Sequence, residues 1–341
     1  MKIAQYYFKS IIKSAVITLI LISILSAMSY HCAMRMPVVV GNPIIIEINK
    51  GDSFNQIIDK LSNANIAIQP LWFKFLAVEK WAFNKLKAGE YELTTGLTMP
   101  EILMLFVLGK TKQYAITFPE GWNFKQIQQA IINHPKIEHA VYETDLTNLM
   151  TTLGANDLYP EGMFFPDTYF FEKNTTDITL LKRAYQKMQW VLTQEWQKRD
   201  DDLPFKTPYE ALILASIVEK ETAVVSERPM IAGVFIRRIK KNMRLQTDPT
   251  VIYGMGDHYQ GNIRRQDLMT VTPYNTYKIK GLPPTPIAMP GQAAINAVLH
   301  PDHSDNIYFV AKGDGNHYFS ATLKEHNQAV LTFQNKNHET R

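Results

Sequence analysis

Residues 207–227, "TPYEALILASIVEKETAVVSE", are the stretch from which the rest of the chain is best read. Thr207 is an N-cap residue, Pro208 takes the favoured first helical position, and Glu210, three residues after the cap, completes a capping-box pattern. A helix starts here and runs through an apolar stretch in which two acids, Glu219 and Glu221, stand where charge is not expected. Side chains at i, i+3, i+4 and i+7 share a helix face. Around Glu219 that face carries Leu212, Ala215, Ser216, Thr222 and Ala223, which are mostly small. Around Glu221 it carries Leu214, Ile217, Val218 and Val225, a bulky stripe suited to a core. The pattern predicts room for a ligand beside Glu219, and for Glu221 a place at the core edge, paired with a cation such as Lys220, Arg228 or Arg237. Partial burial among aliphatic neighbours raises a carboxyl pKa toward what a general acid needs near neutral pH. The same glutamates would also serve to cap a basic neighbour at the helix C-terminus.

Downstream lie two loops rich in the same chemistry. "MRLQTDPTVIYGMG" (243–256) concentrates Gln246, Thr247, Asp248 and Tyr253 in a turn bounded by proline and glycine, and "TPYNTYKIKGLPPTPIAMPG" (272–291) places Asn275 and Tyr277 before a stiff Gly-Leu-Pro-Pro corner. Aromatics interleaved with amides and carboxylates on rigid loops suit sugars, which offer an apolar ring face and hydroxyls. Asp248 precedes Pro249, so it reads equally as a turn former. Upstream, "WNFKQIQQAIINH" (122–134) is an amphipathic helix, "LYPEGMFFPDTYFFEKNTT" (158–176) is aromatic and loop-like, and "DITLLKRAYQKMQWVLTQEWQKR" (177–199) is a long helix. Within that loop, Glu161, Asp167 and Tyr169 would line a cleft or fix the loop. The tail past "LTFQN" (331–335) is polar and expected to fray.

Before this larger region the sequence describes a smaller one. After the linker "MPVVVGNP" (36–43), Ile44 to Ile48 alternate as a strand, Asp52 or Ser53 caps a helix carrying Ile57, Ile58 and Leu61, "QPLWFKFLAVEKW" reads as a second helix and "AGEYELT" as a strand. A third helix, "MPEILMLFVLG", opens on Pro100, and "KQYAITFPEG" forms another strand. The opening "KGDSF...I..KL" resembles a LysM module, the small β-α-α-β carbohydrate-binding unit, from which it departs in its longer second helix and an inserted third. The segment would serve equally as a spacer holding the next region off a membrane.

At the N-terminus, "AVITLILISILSAM" (15–28) is the centre of a run free of Asp, Glu, Lys and Arg from Ser14 to Met34, long enough to cross about 30 Å of hydrocarbon. Lys2, Lys9 and Lys13 precede it and only Arg35 follows closely, so the positive-inside rule keeps the N-terminus in the cytoplasm and exports the remainder. A cleaved signal peptide is the alternative, but "SAMSYHCA" offers no clean small-x-small site. Tyr30 and His31 are too bulky for lipid attachment at Cys32. The expected organisation is a cytoplasmic segment 1–13, an anchor 14–34, a small module 43–118 and a larger region 119–341, α+β overall.

Composition excludes several classes. With 46% hydrophobic and 20% charged residues over 341 positions, the chain is an ordinary globular protein of two-domain length. One cysteine forbids an intramolecular disulfide and a multi-cysteine zinc site. The nine histidines are scattered and no H-E-x-x-H pairing occurs, so neither a metal nor another cofactor is expected. Phosphate-binding glycine loops are absent. The basic stretch Arg237, Arg238, Lys240, Lys241 and Arg244 reads as a solvated helix face, and with no recognised reading motif beside it, nucleic acid is not an expected partner.

"PEGMFFPDTYFF" (160–171), "ASIVEKETAVVSER" (215–228), "MRLQTDPTVIYGMG" and "YNTYKIKGLPPTPIAMPG" together resemble the YceG-like (MltG) family of membrane-bound endolytic murein transglycosylases, over nearly the whole chain. The resemblance implies a lytic cut within nascent peptidoglycan strands between N-acetylmuramic acid and N-acetylglucosamine. The cut leaves a 1,6-anhydro end and terminates strand growth. It implies Glu219, in the "E-K-E-T" motif, as the catalytic residue; beside it, residue chemistry offers Gln246, Asp248, Tyr253, Asn275, Tyr277, Glu161, Asp167 and Tyr169 as substrate-binding candidates. It also implies a single-pass inner-membrane protein with a periplasmic catalytic domain, working near glycan polymerases and penicillin-binding proteins. Two other readings fit the residues: a hydrolase giving reducing ends, with Glu161, Asp167 or Asp248 as a second acid, and a non-catalytic glycan-binding scaffold.

Overall fold

The computed structural model describes residues 2–139, 146–156 and 158–334. The polar tail past residue 335 lies outside them. The chain is mixed α+β and divides into two compact units, Met1–Tyr114 and Ala115–Arg341.

The first unit opens with α1 (Lys2–Arg35), of which Gln5–Arg35 is long and apolar enough to cross a membrane. Then follow β1 (Ile44–Ile48), α2 (Phe54–Asn63), α3 (Pro70–Glu79), β2 (Gly89–Leu93) and α4 (Met99–Leu108). β1 and β2 pair antiparallel from Ile44 opposite Leu93 to Ile48 opposite Gly89. Ser53 caps α2 through a capping box with Gln56, and Thr98 caps α4 with Glu101. Period 2 in the strands and 3.6 in the helices send Ile46, Ile48, Ile57, Leu61, Phe73, Leu76, Tyr91, Ile102 and Phe106 into one core. The last turn of α1 joins that core through buried Ala33.

The second unit begins within β3 (Tyr114–Thr117) and continues with α5 (Phe124–Ile132), β4 (Ile137–Glu138), α6 (Leu146–Thr152), β5 (Thr168–Phe171), β6 (Thr175–Thr176) and α7 (Asp177–Gln197). Next come α8 (Pro208–Glu221), α9 (Arg228–Lys240), α10 (Asp248–Met255), α11 (Arg265–Met269), α12 (Gln292–Leu299), β7 (Tyr308–Ala311), β8 (His317–Ser320) and α13 (Leu323–Phe333). The strands form two-stranded pairs, β3 with β5, β4 with β6 and β7 with β8, so helices supply most of the core. α8 is the central rod. Ala211 to Val218 are all buried, and α7, α9, α10 and α12 pack around it, as a helix apolar on every side requires.

Three local readings of the sequence need correction. α8 stops at Glu221, where Thr222 turns extended, so Val225 is exposed and belongs to no stripe. The loop-like aromatic stretch contains β5, whose alternating Tyr169 and Phe171 are buried. "DPTVIYGM" is a helix, α10, with Pro249 in its first turn, where its missing N–H costs nothing.

Candidate active site

Two residues apart on α8, Glu219 and Glu221 point about 200° apart around the helix and meet different surroundings. Glu219 is enclosed. Its Oε1 accepts from Arg228 Nη2 at 2.7 Å and its Oε2 from the Gly291 N–H at 3.0 Å, with 5% of its side chain exposed. Burial raises its pKa, against the Gly291 N–H and the Arg228 charge, which favour the carboxylate. Gly291 is the N-cap of α12, and a Cβ there would sit 1.8 Å from Glu120 Oε1. Ser216, one turn earlier on α8, accepts from the Ile287 N–H at 2.9 Å, so the small face of the helix is occupied by the 286–291 loop.

Arg228 therefore pairs with Glu219, not with Glu221. It is 4% exposed, its second acidic neighbour is Glu120 at 3.7 Å, and its Nε and Nη1 have no hydrogen-bond partner among the described residues. Arg237 is likewise engaged elsewhere, by Asp302 and by the carbonyl of Asn306.

Glu221 faces a cavity of about 570 Å³. Gln246, Thr247, Asp248 and Tyr277 line one side of it, Arg238 and His317 another, and Tyr308 and His326 contribute rings. Thr247 Oγ1 donates to Glu221 Oε1. Burial pushes the Glu221 pKa up to about 7, the Asp248 carboxylate adds to the rise, and Thr247, His317 and Arg238 oppose it. Tyr277 donates from its hydroxyl to Asp248 Oδ1 at 2.6 Å, and burial together with that bond raises the phenol pKa. Gln246 adopts φ +55°, aided by its N–H, which donates to the Thr276 carbonyl at 3.2 Å. Arg238 is buried, with Nε on the Ile307 carbonyl at 2.7 Å and Nη1 on the Leu245 carbonyl at 2.6 Å. The basic stretch is thus not a solvated face at Arg237 and Arg238, because loop carbonyls and Asp302 take their donors.

Glu161 and Tyr253 form a separate pair. Glu161 is buried, accepts from the Phe124 N–H at 3.0 Å and from the Tyr253 hydroxyl at 3.1 Å, and burial raises its pKa to about 7. Tyr253 packs edge-on against Tyr274 with ring centroids 4.9 Å apart. The segment from Gly121, whose carbonyl accepts from Lys220, to Phe124 spans at most about 11 Å of chain and so joins the surroundings of Glu219 to those of Glu161.

Asn275, Asp167 and Tyr169 stand differently. The Asn275 amide, 1% exposed, donates to the carbonyls of Asp267, Leu268 and Thr270, and its Oδ1 accepts from the Tyr277 N–H, so it ties off the end of α11. Asp167 pairs with Lys187, which holds its pKa low. Tyr169 is buried, donates to the Phe165 carbonyl at 2.6 Å and packs on Phe118. These partners of Asp167 and Tyr169 lie outside the glutamate neighbourhoods, whereas Asn275 reaches the Glu221 cavity through the backbone of Tyr277. Arg238, His317, Tyr308 and His326 were not singled out as site residues. They come from β7, β8, α9 and α13, and only tertiary structure gathers them.

The sequence profile of the YceG-like family matches residues 46–332. This chain belongs to the YceG-like family. Among its relatives, a Bacillus subtilis (strain 168) protein named endolytic murein transglycosylase is 32% identical over 324 residues, covering 89% of each chain. A Streptococcus pneumoniae (strain D39) protein of the same name is 29% identical over 326 residues, which is 86% of this chain and 58% of that relative. The crystal structure of a YceG-like protein from Listeria monocytogenes shares 31% identity and a TM-score of 0.54, over 84% of this chain and 99% of that one.

Proposed function

We propose that this YceG-like protein is an endolytic murein transglycosylase whose general acid is Glu221. The observation that carries the assignment is the place of Glu221 on the wall of a cavity of about 570 Å³, beside Gln246, Asp248 and Tyr277, where burial raises its pKa to about 7. That volume lies in the range of small-molecule sites. At neutral pH such a group is partly protonated in the resting enzyme, as a proton donor must be.

Glu221 gives its proton to the glycosidic oxygen as the C1–O bond of the muramic acid breaks. The resulting carboxylate then takes the proton from the C6 hydroxyl of the same sugar while the C6 oxygen bonds to C1, which closes the anhydro ring. No water is consumed. The nucleophile is tethered to the ring it attacks, so effective concentration replaces an activated water. Asp248, held by Tyr277, supplies negative charge for the cationic transition state, and Gln246 and Tyr277 present polar groups to sugar hydroxyls. Glu161 ties Tyr253 of α10 to the start of α5, which fixes the Tyr253 and Tyr274 rings as candidate stacking surfaces. Asp167, Tyr169 and Asn275 hold loops in place.

Glu219 is the second candidate for the acid: it is the glutamate that the family's E-K-E-T motif implies, and burial raises its pKa too. Both its oxygens are already engaged, by Arg228 and Gly291, which favours a positioning role at the α8–α12 junction. The substrate is peptidoglycan, α1 anchors the chain in the inner membrane, and the second unit works in the periplasm. Partners are the enzymes that make and crosslink the strands. Whether the β-α-α-β segment of the first unit grips glycan as a LysM module does is a further part of this proposal, open to a binding assay with chito-oligosaccharides.

The deciding experiment is mass spectrometry of products from uncrosslinked glycan strands, with the full chain, Glu221→Gln and Glu219→Gln. Anhydro ends lost in Glu221→Gln and retained in folded Glu219→Gln support the assignment. The reverse pattern moves the acid to Glu219. Reducing ends in the unsubstituted protein make Asp248 the base of a hydrolase, and no cleavage by any form favours the scaffold.

A further inference from the structure

α3 is apolar on faces that the fold does not bury. Of its ten residues only Lys74 and Glu79 carry charge, and Phe73, Leu76 and Ala77 already fill the core of the first unit. Leu71, Phe75 and Val78 recur at i, i+4 and i+7 on the outside, and Trp81 follows just past the helix end; all four are between 54% and 82% exposed. Single exposed apolar residues need no explanation, but an aligned stripe ending in a tryptophan marks a contact surface.

Contacts within the same unit locate this stripe along α1. The Tyr30 ring packs edge-on against Trp72 and Phe75, with centroids 5.4 and 5.2 Å away, and its hydroxyl donates to Glu79 Oε2 at 2.5 Å. From Ser14, the first residue past the last N-terminal lysine, to Tyr30 the helix rises about 24 Å. The hydrocarbon core is about 30 Å thick. Tyr30, and with it Trp72 and Phe75, therefore falls within the outer few ångströms of hydrocarbon, at the depth where Tyr and Trp belts form. Lys74, Lys80 and Lys85 lie in the same segment, suited to anionic headgroups.

We propose that α3 and Trp81 are a second membrane contact, with Leu71, Phe75, Val78 and Trp81 seated in the outer interface of the bilayer that α1 crosses. The inference rests on α1 being a membrane anchor. The occupant is lipid because the stripe is continuous, through Tyr30, Trp72 and Phe75, with the apolar surface of the spanning helix. A first unit fixed at two points on the bilayer would be restrained from swinging about α1.

The test uses the full chain in liposomes containing anionic phospholipid. In a Cys32→Ser background, which has no other cysteine, an environment-sensitive fluorophore is placed at Ile20→Cys, Phe75→Cys, Val78→Cys or Asn55→Cys. The expected result is blue-shifted emission that nitroxide phospholipids quench at positions 20, 75 and 78, with position 55 unaffected. Quenching at 20 while 75 and 78 behave like 55 overturns the second contact and leaves the anchor standing. No quenching at 20 removes the anchor and the inference together. A blue shift at 75 and 78 without lipid quenching overturns it in favour of a second copy of the chain covering the stripe.

Discussion

Glu219→Gln keeps a side-chain oxygen for the Gly291 N–H but leaves the Arg228 guanidinium, 4% exposed, without its close counter-charge. Removing one partner of a buried pair costs several kcal/mol, whereas replacing both with apolar residues is close to neutral. Because Glu120 stays at 3.7 Å, we expect about 3 kcal/mol for Glu219→Gln, roughly 6–12 °C in melting temperature for a unit of this size, and recovery of most of it in Glu219→Leu/Arg228→Met. Thermal unfolding followed by circular dichroism in detergent checks both. A single variant as stable as the parent would show that the pair contributes nothing. Glu221 predicts a pH effect on turnover instead. Its pKa is raised to about 7, so the proton-donating form dominates below that pH and is lost above it. Glycan cleavage measured as kcat/KM should hold up to about pH 7 and then fall tenfold per pH unit. A profile flat to pH 9 would remove Glu221 as the acid.

Elements show where local chemistry decides structure and where it does not. The caps at Ser53 and Thr207 and the strand alternation at Ile44–Ile48 were legible because each rests on neighbours a few residues away. The end of α8 was not, since Thr222 extends within a run that reads as continuous helix. The surroundings of Glu219 were hidden for another reason. Small residues on a helix face signal close approach, and only the fold shows that the 286–291 loop packs there. Asn275 was read as a sugar contact for its polarity, but its amide closes α11. The loop's grip on the second unit can be measured at Gly162, which has φ +77° and where a Cβ would lie 2.4 Å from Pro286 Cβ. A proline ring cannot swing aside, and a left-handed conformation adds its own penalty, so Gly162→Ala should cost roughly 2–4 kcal/mol. At Gly291 the obstructing atoms belong to the half-exposed Glu120 side chain, which can move, so Gly291→Ala should cost less. Parallel urea titrations order the two; the opposite order would mean that the 286–291 loop yields more readily than Glu120.

At the scale of the whole molecule, the long apolar helix α1 and the core of the first unit share residues. Ala33 in the last turn of α1 is 3% exposed within the core that contains Leu61, Phe73 and Phe106, Met34 packs against that core, and Pro37 bridges to Thr98 beyond it. A removable leader would be expected to end before the folded body begins, whereas here the helix runs into the core without a break. The overlap gives a prediction that separates lost anchorage from lost packing. A chain starting at residue 29 retains Tyr30 with its Glu79 bond and Ala33; one starting at residue 36 loses both. Both lack the apolar stretch proposed as the anchor, so both should leave the membrane fraction. Only the second removes buried contacts, and burial of about one small apolar side chain with an aromatic contact is worth on the order of 2 kcal/mol. Because the buried cluster around Leu61, Phe73 and Phe106 lies wholly within the first unit, the loss should appear there. Hydrogen exchange should rise in β1, α3 and α4 of the shorter chain and stay unchanged around α8 and α12, with glycan cleavage by the second unit preserved. Equal protection of the first unit in both chains would show that the end of α1 contributes no stability to it, and the case for an uncleaved anchor would then rest on the sequence around residues 26–33 alone.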